Sequence, residues 1–282
     1  MMPPELQPRY SALQDRLREL RSVLVAFSGG VDSAFVLKAA VDTLGPQRVL
    51  AVTARSPAVP RGELAAVGAL AAEIGATHEF IDTGEFDDPN YVANPENRCF
   101  FCKSELYASL APLARERGLA HVINGVNADD LGDYRPGLTA AENHGVVAPL
   151  ADCGVGKAEL RAMAAALGLS IHDKPASPCL SSRVQYGEQI TPEKLRRIDA
   201  AESFLRSLGF RELRVRHHDT LARIEVPPEE IARFVDAKLR ERIDVELRRL
   251  GYQYVTLDLR GFRSGSMNEV LLGAGLRGRS DL

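Results

Sequence analysis

The run Val23-Leu24-Val25-Ala26-Phe27 is continuously apolar and β-prone, the pattern of a strand covered on both faces and so interior to a parallel sheet. A charge-rich amphipathic helix precedes it, from about Tyr10 to Leu20. A glycine-rich hexapeptide follows, then a helical stretch through Thr43 and a second strand at Val49 to Thr53, which together make a βαβ unit. The alternation continues with a helix from about Glu63 to Ile74, a strand at His78 to Ile81, a helix from Lys103 to Arg117 and a strand at His121 to Asn124. A further helix from Lys157 to Leu167 is stopped by Gly168. Strands alternating with helices predict an α/β fold with a doubly wound parallel sheet.

Asp173-Lys174-Pro175-Ala176-Ser177-Pro178 cannot continue a helix, and the domain boundary is placed just after it, giving a first domain of residues 1–178. Beyond it the order is helix (Thr191 to Leu208, Pro192 at N1), strand (Glu212 to His217), strand (Ala222 to Val226), a long helical region (Pro228 to Leu250) and strand (Tyr252 to Leu259). That predicts a smaller α+β domain over 179–270, with a mobile tail over 271–282.

Composition narrows the class. With 282 residues, 45% apolar, the chain can bury a real core, and disorder, collagen and a disulfide miniprotein are excluded. The 35 basic residues against 38 acidic ones give a net charge of −3, no global reason to bind nucleic acid or an anionic membrane. The first ten residues carry no apolar core of a signal peptide, and no run approaches the roughly 18 apolar residues of a membrane span. A cytoplasmic protein is expected, whose four cysteines are reduced thiols or metal ligands rather than disulfides.

Ser28-Gly29-Gly30-Val31-Asp32-Ser33 sits where the buried strand hands over to a helix. Its glycines let backbone N–H groups close around a phosphate, the helix N-terminus adds a favourable dipole, and Ser28 and Ser33 add hydroxyl donors. Gly-Lys-Ser/Thr is missing and no lysine is placed to reach β/γ-phosphates, so this is not a Walker A loop. Gly273-Ala274-Gly275-Leu276-Arg277-Gly278 spells G-x-G-x-x-G but leaves too little chain after it for a dinucleotide site.

Cys99 and Cys102 form a C-x-x-C that allows both sulfurs to reach one metal or cluster; Cys179 follows in Ser177-Pro178-Cys179-Leu180-Ser181-Ser182-Arg183, and Cys153 has no assigned role. Three readings stand open: a structural zinc site, a [4Fe–4S] cluster on three thiolates with one open iron, and a redox or persulfide-carrying pair. Asp129 and Asp130 suit either Mg²⁺ or the N-terminal end of a helix. Arg214 and Arg216 alternate on a predicted strand, so both project from one face and can share a phosphate; the alternative is a solvated surface. His217 and His218, with no partner visible, are read as surface residues.

The hexapeptide resembles the signature of the PP-loop ATP pyrophosphatases, the superfamily that contains NAD and GMP synthetases and several sulfur transferases. The resemblance implies ATP cleavage between the α- and β-phosphates with Mg²⁺, and adenylylation of a substrate oxygen, with Ser28, Gly29, Gly30, Asp32 and Ser33 at the nucleotide; Asp130, of the carboxylate pair above, is the candidate for the metal. Together with Asp133-Tyr134-Arg135-Pro136-Gly137, the Cys179 to Arg183 segment, Tyr186-Gly187, Thr256-Leu257-Asp258-Leu259 and Gly261-Phe262-Arg263-Ser264-Gly265, the chain is similar over nearly its whole length to the LarE family of ATP-dependent sulfur transferases. That implies the conversion of carboxylates of pyridinium-3,5-biscarboxylic acid mononucleotide to thiocarboxylates for a nickel pincer cofactor, with Ser182, Arg183, Glu202, Arg214 and Arg216 in the substrate or phosphate region. A homo-oligomer is expected. One acidic residue of the family is Arg233 here, so that contact is not carried over.

The family obtains sulfur in two ways, from a sacrificed cysteine or from a [4Fe–4S] cluster on three cysteines. Pro178 stands at the sacrificial position, whereas Cys99, Cys102 and Cys179 together match the cluster branch, which the resemblance therefore favours. Rival functions are a tRNA 2-thiolation enzyme, disfavoured by the charge balance, an amide-forming synthetase, for which no ammonia-generating domain is present, and a non-catalytic ATP-binding protein.

Overall fold

The computed structural model of the chain describes residues 2–132 and 136–263. Asp133-Tyr134-Arg135, Ser264-Gly265, the expected tail and the Gly273 to Gly278 look-alike lie outside the described residues. The chain divides into two compact units, the first of residues 1–91 and 96–177, the second of residues 92–95 and 178–282.

The first unit runs α1 (Gln7–Leu20), β1 (Val23–Ala26), α2 (Val31–Leu44), β2 (Val49–Arg55), α3 (Arg61–Ile74), β3 (Thr77–Asp82), the single turn α4 (Pro89–Val92), α5 (Arg98–Glu116), β4 (His121–Ile123), α6 (Pro136–Asn143), the turn α7 (Pro149–Asp152) and α8 (Lys157–Ala166). The strands form one sheet in the order β3-β2-β1-β4, every pairing parallel. β1 is interior, as its unbroken apolar run requires. Val23, Leu24 and Val25 are buried, and the two faces feed different clusters: Val23 and Val25 pack with Phe35, Leu37 and Leu160 on one side, Leu24 with Leu50, Val52 and Leu110 on the other. Helices thus cover both faces of the sheet, the doubly wound arrangement.

One boundary differs in a way that matters. The sequence predicts the fourth long helix from Lys103, but α5 starts at Arg98, with Asn97 as its N-cap and the Phe100 N–H donating to the Asn97 carbonyl at 2.8 Å. Cys and Phe have modest helix propensity, so the first turn carries little local signal; its first residue, Arg98, is buried.

The second unit contains α9 (Pro192–Ser207), β5 (Arg214–His218), β6 (Leu221–Glu225), α10 (Ala237–Arg249) and β7 (Tyr254–Leu257). β5 and β6 pair antiparallel and β6 and β7 parallel, over a core of Leu205, Phe210, Val215, Ile224, Ile243 and Leu247. Thr191 caps α9 by accepting from Lys194 N at 3.3 Å, with Pro192 in the first turn. The expected long helical region is instead two pieces, a 3₁₀ stretch Pro228–Val235 and α10. Asp236 breaks it with extended backbone and caps α10, accepting from Leu239 N at 2.8 Å. The strap 92–95 joins this unit through its backbone: Ile190 N donates to Val92 O at 2.9 Å, Gly187 N to Asn94 O at 3.0 Å, and the buried Asn94 amide to Gln185 O at 2.8 Å and Glu188 O at 3.1 Å. Among the described residues no helix is long and apolar enough to cross a membrane.

Candidate functional site

In the first unit the hexapeptide forms a tight turn from β1 into α2. Gly29 has φ +73°, a left-handed conformation that glycine adopts without strain, and a Cβ there would meet Val67 at 3.4 Å. Two hydroxyls cross-link the turn: Ser33 Oγ accepts from Ser28 N at 3.2 Å, donates to Gly30 O at 3.0 Å and lies 3.1 Å from Ser28 Oγ. Gly30 N–H faces Ser28 Oγ at 3.4 Å. The first-turn N–H groups of α2 have no intrahelical acceptor by construction, and with the helix dipole they suit an anion.

Three neighbours invisible to a local reading complete the turn. Gly125, just after β4, packs directly on it: a Cβ there would lie 2.7 Å from Ser33 N and 2.8 Å from the Asp32 carbonyl carbon. Lys157, opening α8, donates from Nζ to both carboxylate oxygens of Asp32 at 2.6 Å. Lys174 Nζ donates to the Gly29 carbonyl at 3.2 Å and to Glu63 at 2.5 Å. The absence of a lysine within the motif is therefore corrected by tertiary structure: two arrive from far along the chain. A pattern search for the motif sees only contiguous residues and had no signal for them.

Asp129 takes the helix-end role, its Oδ2 accepting from Lys157 N at 2.7 Å, while Asp130 Oδ2 accepts from Asn127 N at 3.1 Å beside it. The two carboxylates, Asp129 exposed and Asp130 half-buried on the 3₁₀ turn Ala128–Gly132, are the oxygen donor type that Mg²⁺ takes.

Cys99 and Cys102 stand three positions apart in the first turn of α5, on one side of the helix, and are exposed and half-buried. Cys179, in the second unit, is the N-cap of a 3₁₀ turn, Leu180–Arg183, and half-buried. All four cysteines are thiols. Among the described residues, no three His, Cys, Asp or Glu side chains are gathered around a common point. Three thiols, two of them on one helix turn, are the donor type that iron–sulfur clusters take. Cys153 packs against the first core, and burial, then Asp152, pushes its thiol pKa up.

The second unit concentrates buried charge around Cys179. Arg183 and Glu202 are both wholly buried and form a two-pronged pair, Nε to Oε1 at 2.9 Å and Nη2 to Oε2 at 3.1 Å. The third arm of the guanidinium, Nη1, donates to the carbonyls of Pro178 at 2.7 Å and Cys179 at 3.1 Å and to Ser182 Oγ at 2.9 Å. Arg183 thus acts on the backbone of the cysteine turn. Glu202 also accepts from Val215 N at 3.1 Å and Arg206 at 2.9 Å; burial works most strongly against its charge, but Arg183, Arg206 and Arg214 together keep the carboxyl pKa below its ordinary value.

Arg214 and Arg216 share one face of β5 and are buried, not solvated. Arg216 is bound to Glu225 Oε2 at 2.8 and 3.0 Å and to Ser182 O at 3.0 Å. Arg214 donates to Leu213 O at 2.6 Å and lies 5.0 Å over the Phe262 ring. Burial, followed by repulsion from Arg183, lowers its pKa to about 10. Gly261 has φ +71°, and a Cβ there would strike Val226 O at 2.7 Å, so glycine is required where Phe262 N donates back to that carbonyl. His217 is a correction: it is buried, with Nδ1 3.3 Å from the Tyr252 hydroxyl and Nε2 3.4 Å from Glu188. β5 is an edge strand, and His217 is covered there by Val184, bridged to it in parallel, and by Tyr252 and Glu188, all distant in sequence. Arg233 stacks on Phe210 at 3.8 Å and pairs with Glu230 at 2.6 Å.

A parallel sheet whose interior strand opens into a Ser-Gly-Gly turn and a helix N-terminus is the PP-loop fold of ATP-using enzymes, and a sequence model of NAD synthase matches residues 8–95. The remainder of the chain narrows this. A pyridinium-3,5-bisthiocarboxylic acid mononucleotide synthase of Lactiplantibacillus plantarum is 40% identical over 271 residues, 96% of this chain and 98% of that protein. The chain belongs to the family of that enzyme, the LarE family. An uncharacterized protein of Synechocystis is 51% identical over 94% of this chain and 99% of its own length, and one of Methanocaldococcus jannaschii 27% identical over 89% and 96%.

Proposed function

We propose that the protein uses ATP to activate the carboxylates of pyridinium-3,5-biscarboxylic acid mononucleotide and replaces an oxygen of each by sulfur, yielding AMP, pyrophosphate and the bisthiocarboxylic acid. The observation that carries this reading is the hydroxyl-cross-linked Ser28–Ser33 turn within a chain similar over 96% of its length to a synthase of that product. A carboxylate oxygen of the substrate attacks the α-phosphorus, the bond to the bridging oxygen breaks, and pyrophosphate leaves. Sulfide then attacks the acyl carbon, and AMP departs with the former carboxylate oxygen.

The turn and the α2 N-terminus receive the departing pyrophosphate, where fixed donors favour charge that develops in the transition state. Lys157 exchanges its pairing with Asp32 for the phosphates when nucleotide binds, and Asp32, with Asp130, is left to hold Mg²⁺. Arg214 and Arg216 bind the substrate's phosphate from one face of β5, with Ser182 beside them. Arg183 and Glu202 position that region and the turn carrying Cys179. The sulfur source we favour is a [4Fe–4S] cluster ligated by the Cys99, Cys102 and Cys179 thiolates, which would present a sulfide on an iron without a protein ligand. The rival, sacrifice of Cys179 itself, removes its sulfur from the polypeptide.

The test is turnover of anaerobically purified protein with ATP and the pyridinium substrate. Substrate-dependent pyrophosphate release with thiocarboxylate product supports the reading; release with tRNA in place of the pyridinium compound, or nucleotide binding with no release, refutes it. Intact mass decides the sulfur source: protein that delivers sulfur with all four cysteines retained supports the cluster, and one cysteine lost per sulfur delivered contradicts it.

A further inference from the structure

Lys174 has no part in the chemistry above, yet its position is held from several directions. Arg161 on α8 donates to the His172 carbonyl at 2.8 Å and to the Lys174 carbonyl at 2.7 Å. Upstream, Ser170 is bound to Glu73 of α3 through its N–H at 3.0 Å and its hydroxyl at 2.7 Å. The side chain then crosses a cleft of about 210 Å³, lined by Gly29, Glu63, Val67, Leu70 and Ile171, to reach Glu63 at 2.5 Å and the Gly29 carbonyl at 3.2 Å. The long chain is held at both ends.

The contact with Gly29 constrains more than one oxygen. A trans peptide is rigid, and its C=O and N–H point in opposite directions, so a donor that fixes the Gly29 carbonyl also fixes the Gly30 N–H. That N–H is the one facing into the turn toward Ser28 Oγ at 3.4 Å. Between two glycines the barrier to turning the peptide over is at its lowest, because neither residue has a Cβ to oppose it. The reversed peptide would present a carbonyl oxygen to an incoming phosphate where the native one presents a donor. Among the described residues there are no cis peptide bonds that alter this geometry.

We infer that Lys174 is a positioning residue for the phosphate turn: its ammonium, held in place by the anchored segment that carries it, fixes the Gly29–Gly30 peptide with the N–H inward before any nucleotide arrives. The inference rests on the reading of the turn as the pyrophosphate cradle. Its role is preorganisation, so it acts on phosphate-bearing ligands and leaves the nucleoside part untouched.

The experiment compares the full-length protein with Lys174→Met, Lys174→Arg and Glu63→Gln, using adenosine and inorganic pyrophosphate as separate probes, and reads the Gly30 amide resonance by glycine-selective nitrogen labelling without ligand. Lys174→Met is expected to weaken pyrophosphate about tenfold, the scale of one charge-assisted hydrogen bond, with adenosine unchanged and the Gly30 resonance shifted or broadened. Lys174→Arg, which can still donate to the Gly29 carbonyl, and Glu63→Gln, which leaves the lysine in place, keep pyrophosphate within about threefold. An unmoved Gly30 resonance in Lys174→Met, an equal loss of adenosine and pyrophosphate, or a tenfold loss in Glu63→Gln alone overturns the inference. Failure of the unaltered protein to bind pyrophosphate sinks the cradle reading instead, while the resonance still reports on the peptide.

Discussion

Replacing Arg183 by methionine removes one partner of an ion pair whose side chains are both 0% exposed. An uncompensated buried charge costs about 3–5 kcal/mol, and because Arg206 still reaches Glu202 at 2.9 Å from a partly exposed position, the lower end applies. A loss of about 3 kcal/mol in a unit of this size lowers its melting temperature by on the order of 15 °C. The chain has no tryptophan, so hydrogen exchange of peptides from the second unit is the suitable assay, with peptides of the first unit as the internal control. The deficit should also depend on pH. In the unaltered protein the Glu202 pKa is depressed, so its contribution is present above the unfolded value near ~4.3 and is lost as pH falls through the lower folded value. Without Arg183, burial dominates and that pKa rises, so the variant's deficit is largest at neutral pH and shrinks toward pH ~5. Adding Glu202→Gln, which keeps an acceptor for Val215 N, should recover most of the loss. A second-unit stability within about 1 kcal/mol of the unaltered protein, or a deficit that ignores pH, would refute the reasoning.

Further consequences are open to measurement. Gly125→Ala should cost about 1–3 kcal/mol and raise the KM for ATP, since its Cβ would fall 2.7 Å from Ser33 N; urea unfolding and pyrophosphate release read the two effects, and an unchanged KM would separate Gly125 from the turn. Lys157→Met removes a partly exposed pair, so stability should move by less than ~1 kcal/mol while the rate of pyrophosphate release falls about 100-fold or more; near-normal release would remove Lys157 from the chemistry. His217 has a pKa lowered by burial, so the unfolded state binds its proton first: the contribution is whole above pH ~6.5 and declines as pH falls through the folded value. His217→Gln should flatten that slope in the second unit, and an unaltered slope would assign it to His218, also lowered by burial.

The first unit was legible because β1 and the turn after it are contiguous in sequence, and an unbroken apolar run followed by Ser-Gly-Gly has few alternative uses. The parts of the site that escaped notice are those assembled by tertiary contact. Gly125, Lys157 and Lys174 carry no local signal; each acquires meaning only once β4, α8 and the segment after it are folded onto the turn. The same holds for the buried arginines of the second unit: Arg183 and Arg216 are matched by Glu202 of α9 and Glu225 of β6, and Arg214 is covered by the Phe262 ring, none of them adjacent in sequence. His217 was misread for the same reason, its partners Glu188 and Tyr252 lying on either side of it in sequence. The split at Asp236 was in principle readable, since an aspartate three residues before a leucine N–H is an N-cap signal.

The central claim is that a substrate carboxylate is activated by attack on the α-phosphorus of ATP before sulfur replaces its oxygen. Turnover of substrate whose carboxylates carry heavy oxygen tests it most directly, with AMP collected and weighed by mass spectrometry. The account predicts pyrophosphate and AMP bearing one heavy oxygen for each thiocarboxylate formed. Unlabelled AMP, or ADP and phosphate in its place, would contradict it.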